Sequence, residues 1–424
     1  MYQQFFGLKE LPYSIAPNPR YLYMRQATAG LGHFVSTSLP PGALNDLLVD
    51  GVIAGVGSVV IFLPQILILF AFIILLEDSG YMPRAAFMMD RIMRSVGLSG
   101  QSFIPMLSSF ACAVPGILST RVIPEKRDRF ATILAAPFMT CSARLPVYAL
   151  LIAAFIPRRY YFGGLLNLQG LVLFGLYMLG IAGGVLTALL LKRSLLRGPT
   201  PTFLVELPPY RWPSLQSVAI RLLARARIFL YRAGTVIFTV AVVAWALAYF
   251  PRPAEIAAKY DHRRAIAELR MEQPVLTAAL TQINQEETAE YLEQSLLGRI
   301  GKTIQPVFAP LGWDWKVSAA VIAGFPAREV VIAVLGTIYA VGDTEVPEHA
   351  LAERLRSATD AAGNPVFTLP MVIGLLVFYA FCLQCVATIA VIARETNSWA
   401  WPLGAWLYMT GLGYAGAFLA YHLF

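Results

Sequence analysis

Charge is scarce in this chain. Asp, Glu, Lys and Arg make up 14% of its 424 residues, against about 25% in a soluble domain. With 57% hydrophobic residues, that deficit excludes an ordinary soluble globule. Histidine is almost missing: His33, His262, His349 and His422 are the whole set, and apart from His422 at the far edge of the last apolar run none lies in a span. A thiol enzyme inside a membrane needs a base beside its nucleophile, so that class is set aside. The four cysteines, Cys112, Cys141, Cys382 and Cys385, lie in or beside apolar segments. No secreted disulfide framework is therefore expected. No GxxxxGK[ST] phosphate loop occurs. Residues 1–41 hold no apolar core long enough for a cleavable signal.

What is present is a series of apolar runs of about 20 residues or more, enough to cross a bilayer core of about 30 Å. Candidate spans are residues 52–76, 130–156, 168–191, 228–250, 369–393 and 400–423. Segments 103–121 and 317–341 either span or re-enter. The expected fold is all-α, a polytopic transmembrane helical bundle with re-entrant segments. The net charge of +8 then reads as the Lys/Arg bias of cytoplasmic loops, so lipid and not nucleic acid is the expected partner. Basic clusters occupy Arg84–Arg94, Arg121–Arg129 and residues 192–232. All three share the cytoplasmic side if 103–121 enters and returns, and that is the expected course.

The chain divides into a non-membrane segment (1–38), a first repeat unit (39–160), and a linking helix with a basic loop (161–227). A second repeat unit (228–399) carries a polar insertion (251–302), read as a helical hairpin outside the bilayer. A last transmembrane helix covers 400–424. The repeat is weak, with sparse identities, and pattern carries much of it. Gly57-Ser58-Val59 reappears as Gly234-Thr235-Val236, and Gly97 and Phe110 reappear as Gly312 and Phe325, both 215 positions on. Cys141–Ala149 matches Cys385–Ala393 at four of nine positions. With 103–121 re-entrant, an odd number of crossings separates the two units. The repeat is then inverted, an arrangement that places transporter sites near the midplane.

Cys112 stands between Pro105 and Pro115, and Cys141 stands before Ser142 and Pro146. Cys385 is the repeat mate of Cys141. Cys382, three residues earlier, is expected on nearly the same helical face. A cysteine is often only a small buried hydrophobe, but thiols beside helix breaks also suit soft or borderline transition metals. Cys382-Leu-Gln-Cys385 has no second pair and is no closed zinc site. Glu77 and Asp78 close the first span, as ligands or as interfacial residues. Glu329 beside Arg328 lies in an apolar segment, where a charge is costly unless paired or hydrated. Met82, Met88, Met89 and Met93 offer thioethers or belong to an interfacial amphipathic helix.

At these residues the chain resembles the ferrous iron transport protein B (FeoB) family, in its membrane domain with two gate modules. The matching stretches include LLEDSGYMPRAAFMMDRIMRSVGLSGQSFIPMLSSFACAVPGILSTR, RDRFATILAAPFMTCSARLPVYAL and CVATIAVIARETNSW, within about residues 40–424. The resemblance implies Fe²⁺ as transported substrate, no resident cofactor, and a multi-pass place in a bacterial inner membrane. It implies metal-handling roles for Cys112, Cys141, Cys385 and Glu329. Family members usually begin with a G domain, a regulatory helical domain and one more membrane helix. Without a phosphate loop, this chain alone is expected neither to bind nor to hydrolyse GTP. A separate G-domain protein or a small Feo-type accessory protein is the implied partner, with homo-oligomers possible. Residues 1–25 resemble instead the start of a AAA ATPase of the general-secretion type. Two other readings stay open: a gate permease for another small solute such as a nucleoside, and a non-transporting fragment that docks a separate G protein.

Overall fold

The computed structural model describes residues 30–423 except 32–33, 41, 162–165, 199–208, 271–274, 326–327, 329, 340–347, 360–362 and 364. Residues 1–25, with their AAA ATPase resemblance, and Glu329 lie outside the described residues. The described chain is all-α. Its one sheet is a two-stranded antiparallel pair, β1 (Tyr160–Tyr161) with β2 (Leu166–Asn167).

Each repeat is built in the same order. In the first, a π-helical turn (Leu47–Ile53) leads into the apolar helix α1 (Ala54–Asp78). The amphipathic helix α2 (Tyr81–Ser95) follows, and then Gly97 with φ 83°. Two seven-residue helices, α3 (Phe103–Ser109) and α4 (Ala113–Ser119), pack on each other. Each is about 10 Å long at 1.5 Å per residue, so neither crosses a bilayer. Next comes a helix broken in its middle, α5 (Lys126–Ala135) and α6 (Leu145–Phe155). The helix α7 (Leu168–Arg193) then links to α8 (Leu215–Phe229).

The second repeat opens on another π-helical turn (Leu230–Gly234) and α9 (Thr235–Tyr249). The polar insertion interrupts it as α10 (Ala254–Arg270) and α11 (Val275–Gln294). The order then resumes with amphipathic α12 (Leu296–Phe308) and Gly312 at φ 74°. A second pair of short packed helices follows, α13 (Trp315–Ala323) and α14 (Val330–Ile338). After α15 (Glu348–Ser357) comes a second broken helix, α16 (Leu369–Phe381) and α17 (Val386–Thr396). The chain closes on α18 (Ala400–Leu423). Gly97 and Gly312 thus share a role: each reverses the chain through a left-handed conformation that costs a side-chain-bearing residue about 1 kcal/mol or more.

Among the described residues, Lys126–Phe155, Leu168–Arg193 and Leu369–Thr396 are long and apolar enough to cross a membrane. The first and third are the two broken helices taken whole. Proline accounts for the first break, since Pro137 and Pro146 withhold backbone donors on either side of it. The second break, Cys382–Cys385, has no proline. It corrects the expectation that Cys382 and Cys385 share a helical face, because the helix is interrupted between them.

Contacts divide the chain into two compact units. One holds the described residues up to Ala143 with Tyr160–Ala241 and Ala380–Leu412. The other holds Arg144–Arg159, Val242–Tyr379 and Gly413–Phe424. Each unit therefore contains one pair of short helices together with the second half of the other repeat's broken helix. In the second unit the core centres on Trp313, 2% exposed, which stacks on Phe308 and meets Phe378 edge-on, both at 5.1 Å between ring centres.

The insertion is a helical hairpin laced by ion pairs. Lys259 reaches Glu290 at 2.6 Å, Arg263 reaches Glu286 at 2.7 Å, and Arg264 pairs with Glu287. The Tyr260 hydroxyl donates to Glu290 at 2.8 Å. Burial, and then that bond, push the Tyr260 phenol up to about 12. The hydrogen bonds from Lys259 and Tyr260 hold the Glu290 carboxyl below its ordinary value. A carboxylate depressed in the folded state stabilises above its unfolded pKa, about 4.3, and loses that contribution as pH falls through the folded value. Amide exchange across 254–294 is therefore expected to quicken below about pH 4. Glu290→Gln should flatten that dependence, and an unchanged pH profile in this variant would show that Glu290 does not carry it.

Candidate functional site

All four cysteines are thiols and none forms a disulfide. Three of them sit at helix breaks, and the breaks meet inside the first compact unit. Cys112 is the N-cap of α4 in an extended conformation (φ −155°, ψ 134°), and Cys385 is the N-cap of α17 in nearly the same one (φ −159°, ψ 104°). Cys141 lies in the gap between two 3-10 turns, Ala136–Phe138 and Ser142–Arg144.

Three contacts draw these breaks together. The first joins the breaks of Cys112 and Cys141: both the backbone N–H and the hydroxyl of Ser142 donate to the Ala111 carbonyl, at 3.3 and 3.1 Å. The second joins the breaks of Cys141 and Cys385: Phe138 and Phe381 meet edge to face at 6.2 Å, three and four residues ahead of the two thiols. The third is the packing of α4 on α17. Their C-terminal ends are tied by Arg121 and Glu395, at 2.6 Å. Two short helices packed together and joined at their C-terminal ends bring their N-caps, Cys112 and Cys385, to the same end.

Helix α7 closes against this region through glycines. A Cβ on Gly180 would lie 2.8 Å from the Phe138 carbonyl, and one on Gly183 would lie 2.7 Å from the Phe381 ring. Only a bare backbone lets α7 approach so near. From the same helix Tyr177 stacks on Phe110 at 6.2 Å. Tyr177 escaped the sequence reading. Its only signal is a phenol placed midway along an otherwise apolar run.

The other candidates fall elsewhere. Cys382 is 2% exposed and its sulfur lies 3.6 Å from the Thr410 hydroxyl, whereas the other three thiols are half-buried. Asp78 is taken by Arg221 at 2.6 Å, which anchors α8 to α1. Glu77 lines a cavity of about 670 Å³. Met82 and Met93 are buried while Met88 is 77% exposed, so the methionines do not form one thioether face. Among the described residues, no group of three or more His, Cys, Asp and Glu side chains is placed to hold a metal ion, the three thiols at the breaks included. The arrangement is an open set of thiols, hydroxyls and interrupted backbone.

This fold defines an all-α polytopic protein with two gate repeats. The family model for Gate, described as nucleoside recognition, matches residues 59–155 and 230–399. A model for the ferrous iron transport protein B C terminus matches residues 173–225. The chain belongs to the gate family. It is 43% identical over 397 residues to an Fe(2+) transport protein A/Fe(2+) transporter FeoB fusion protein of Porphyromonas gingivalis, covering 93% of this chain and 46% of that protein. It is 39% identical to an Fe(2+) transporter FeoB of Leptospira interrogans, covering 100% of this chain and 56% of the relative. A FeoB of Campylobacter jejuni is 34% identical, with 100% and 61% covered. The chain spans about half the length of the curated relatives it matches. No solved structure matches it.

Proposed function

We propose that this chain is the permease part of a FeoB-type system that moves Fe²⁺ across a bacterial inner membrane. One observation carries the reading: three thiols, Cys112, Cys141 and Cys385, stand at three helix breaks held together in one compact unit. An interrupted helix leaves backbone carbonyls unused by the helix, and transporters employ such carbonyls on cations. Fe²⁺ is a borderline ion that accepts mixed sulfur and oxygen ligands. Thiols, the Ser142 hydroxyl and freed carbonyls can replace part of its water shell in passing without closing around it. The names of the relatives agree with this substrate.

These residues would move the ion without hydrolysing nucleotide. Gly301-Lys302-Thr303 lies inside α12, with Leu296 where a phosphate loop needs its first glycine. Energy or gating would come from a G-domain partner, and a small accessory protein of the kind fused in the Porphyromonas relative would join it. Proteoliposomes holding the purified chain, with and without a G-domain protein, test the proposal through radio-iron uptake. Fe²⁺ should enter and a nucleoside should not. Nucleoside uptake without iron uptake would overturn the reading.

On the same proposal the protein is multi-pass, with its basic clusters in the cytoplasm. Glu125 and Gln216, both exposed, should therefore be labelled from the same side when each is replaced by cysteine. Labelling from opposite sides would mean that the segment of α3 and α4 crosses the bilayer.

A further inference from the structure

We infer that the cavity beside α1 is a binding site for an anionic phospholipid, a reading independent of the iron reading. The cavity, about 670 Å³, lies wholly within the first compact unit. That volume is in the ordinary range for a small-molecule site. Its walls are mostly apolar, with Phe70 and Ile74 of α1, Ile104 of α3, Val114 and Leu118 of α4, and Val391 of α17, beside the polar Gln101, Ser108 and Ser119.

Its charges are gathered at one end. Glu77 closes α1, Arg121 follows α4, and Arg394 and Glu395 close α17, with Arg225 contributed by α8. From Glu77 to Phe70 is seven residues along α1, about 10 Å of helix. The cavity thus runs from a charged rim two turns down into apolar helix. A sugar or a free phosphate would leave the walls unmatched, and a hydrocarbon would leave the rim unmatched. An amphiphile fits both.

The sign of the headgroup follows from the rim. Glu395 is already committed, bonded to both Arg121 and Arg129 with its side chain 3% exposed. That leaves Arg225 and Arg394 against the single carboxylate of Glu77. Neither arginine has a carboxylate partner among the described residues, and both are exposed. Two unengaged guanidiniums at headgroup level suit a phosphodiester, which takes paired N–H donors from arginine. Basic pockets between membrane helices recognise acidic lipids by the same chemistry. A phosphatidylglycerol-like headgroup would sit between Arg225 and Arg394, with an acyl chain along Phe70, Ile74 and Leu118.

The test uses the purified chain in detergent, with short-chain phosphatidylglycerol, short-chain phosphatidylcholine and inorganic phosphate as separate probes. Binding is read by native mass spectrometry and by the rise in melting temperature. Phosphatidylglycerol should be retained and should stabilise the protein, and the other two should not. Arg225→Ala/Arg394→Ala should weaken phosphatidylglycerol binding about tenfold or more, since each charge-assisted bond contributes about 1.5–3 kcal/mol. Both positions are exposed, so the variant should melt like the parent when no lipid is added. Leu118→Trp, which fills the wall and keeps every charge, should also reduce binding, and Val391→Trp repeats that arm if the first variant does not fold. Equal binding of both lipids overturns the proposal, as does binding that survives loss of both arginines. An equal shift from phosphate alone would reassign the rim as a simple anion site and overturn the lipid.

Discussion

Cys141→Ser is expected to cut Fe²⁺ uptake per unit of inserted protein by about tenfold or more, on the scale that loss of groups around a bound metal produces. The change keeps the volume nearly constant and removes the soft donor. Ser142, the next residue, already holds the break in place through the Ala111 carbonyl, so membrane abundance should stay at the parental level. Cys112→Ser and Cys385→Ser should behave alike, because both residues cap short helices in the same extended geometry. Cys382→Ser should transport like the parent, since this thiol faces Thr410 in a closed setting. Glu329→Ala, proposed from the sequence, belongs in the same series. The measurement is radio-iron uptake in an iron-starved host supplied with the G-domain partner. Parental uptake by Cys112, Cys141 and Cys385 variants together would leave the thiols as packing residues only.

The largest effect on stability is expected from Lys192→Ala. Lys192, near the end of α7, meets Asp128 in the first turn of α5 at 2.5 Å, and the two side chains are 5% and 0% exposed. The chain reversal at Gly97 lies against the Lys192 stem, within 3.3 Å of where a glycine Cβ would stand. Removing the lysine strands a buried carboxylate, at a cost of about 3–5 kcal/mol. Replacing both partners with apolar residues, as in Asp128→Leu/Lys192→Met, should cost much less, because a buried pair of charges is itself expensive to desolvate. Melting temperature and detergent half-life of the three proteins give the comparison. A double variant as unstable as Lys192→Ala would mean that local packing and not the stranded charge sets the loss.

Sequence reading reached what is local. Gly97 and Gly312 were visible as identities 215 residues apart, and both turn out to be left-handed reversals. Pro105, Pro115 and Pro146 mark interruptions, because proline removes backbone donors wherever it stands; Pro137 carries the same signal and went unread. The second break carries no such mark, so residues 369–393 read as one uninterrupted span. Pairs such as Lys192 with Asp128, 64 residues apart, or Arg121 with Glu395, 274 apart, depend on packing that no local pattern encodes. The place of Tyr177 is hidden for the same reason: its ring partner, Phe110, comes from another element.

The exchange of half-helices between the two units has a consequence for synthesis. A ribosome that has reached residue 379 has delivered most of the first unit but not α17, which that unit takes from Ala380–Leu412. Until α17 emerges, Arg121 and Arg129 have no Glu395 to bind, and α4 has no parallel neighbour. The breaks that carry Cys112, Cys141 and Cys385 can thus come together only after α17 has emerged. A product cut short before residue 385 lacks one of the three thiols, and one cut before 395 lacks the clasp that aligns them. If the thiols form the path for iron, an unfinished chain left in the membrane is a closed one.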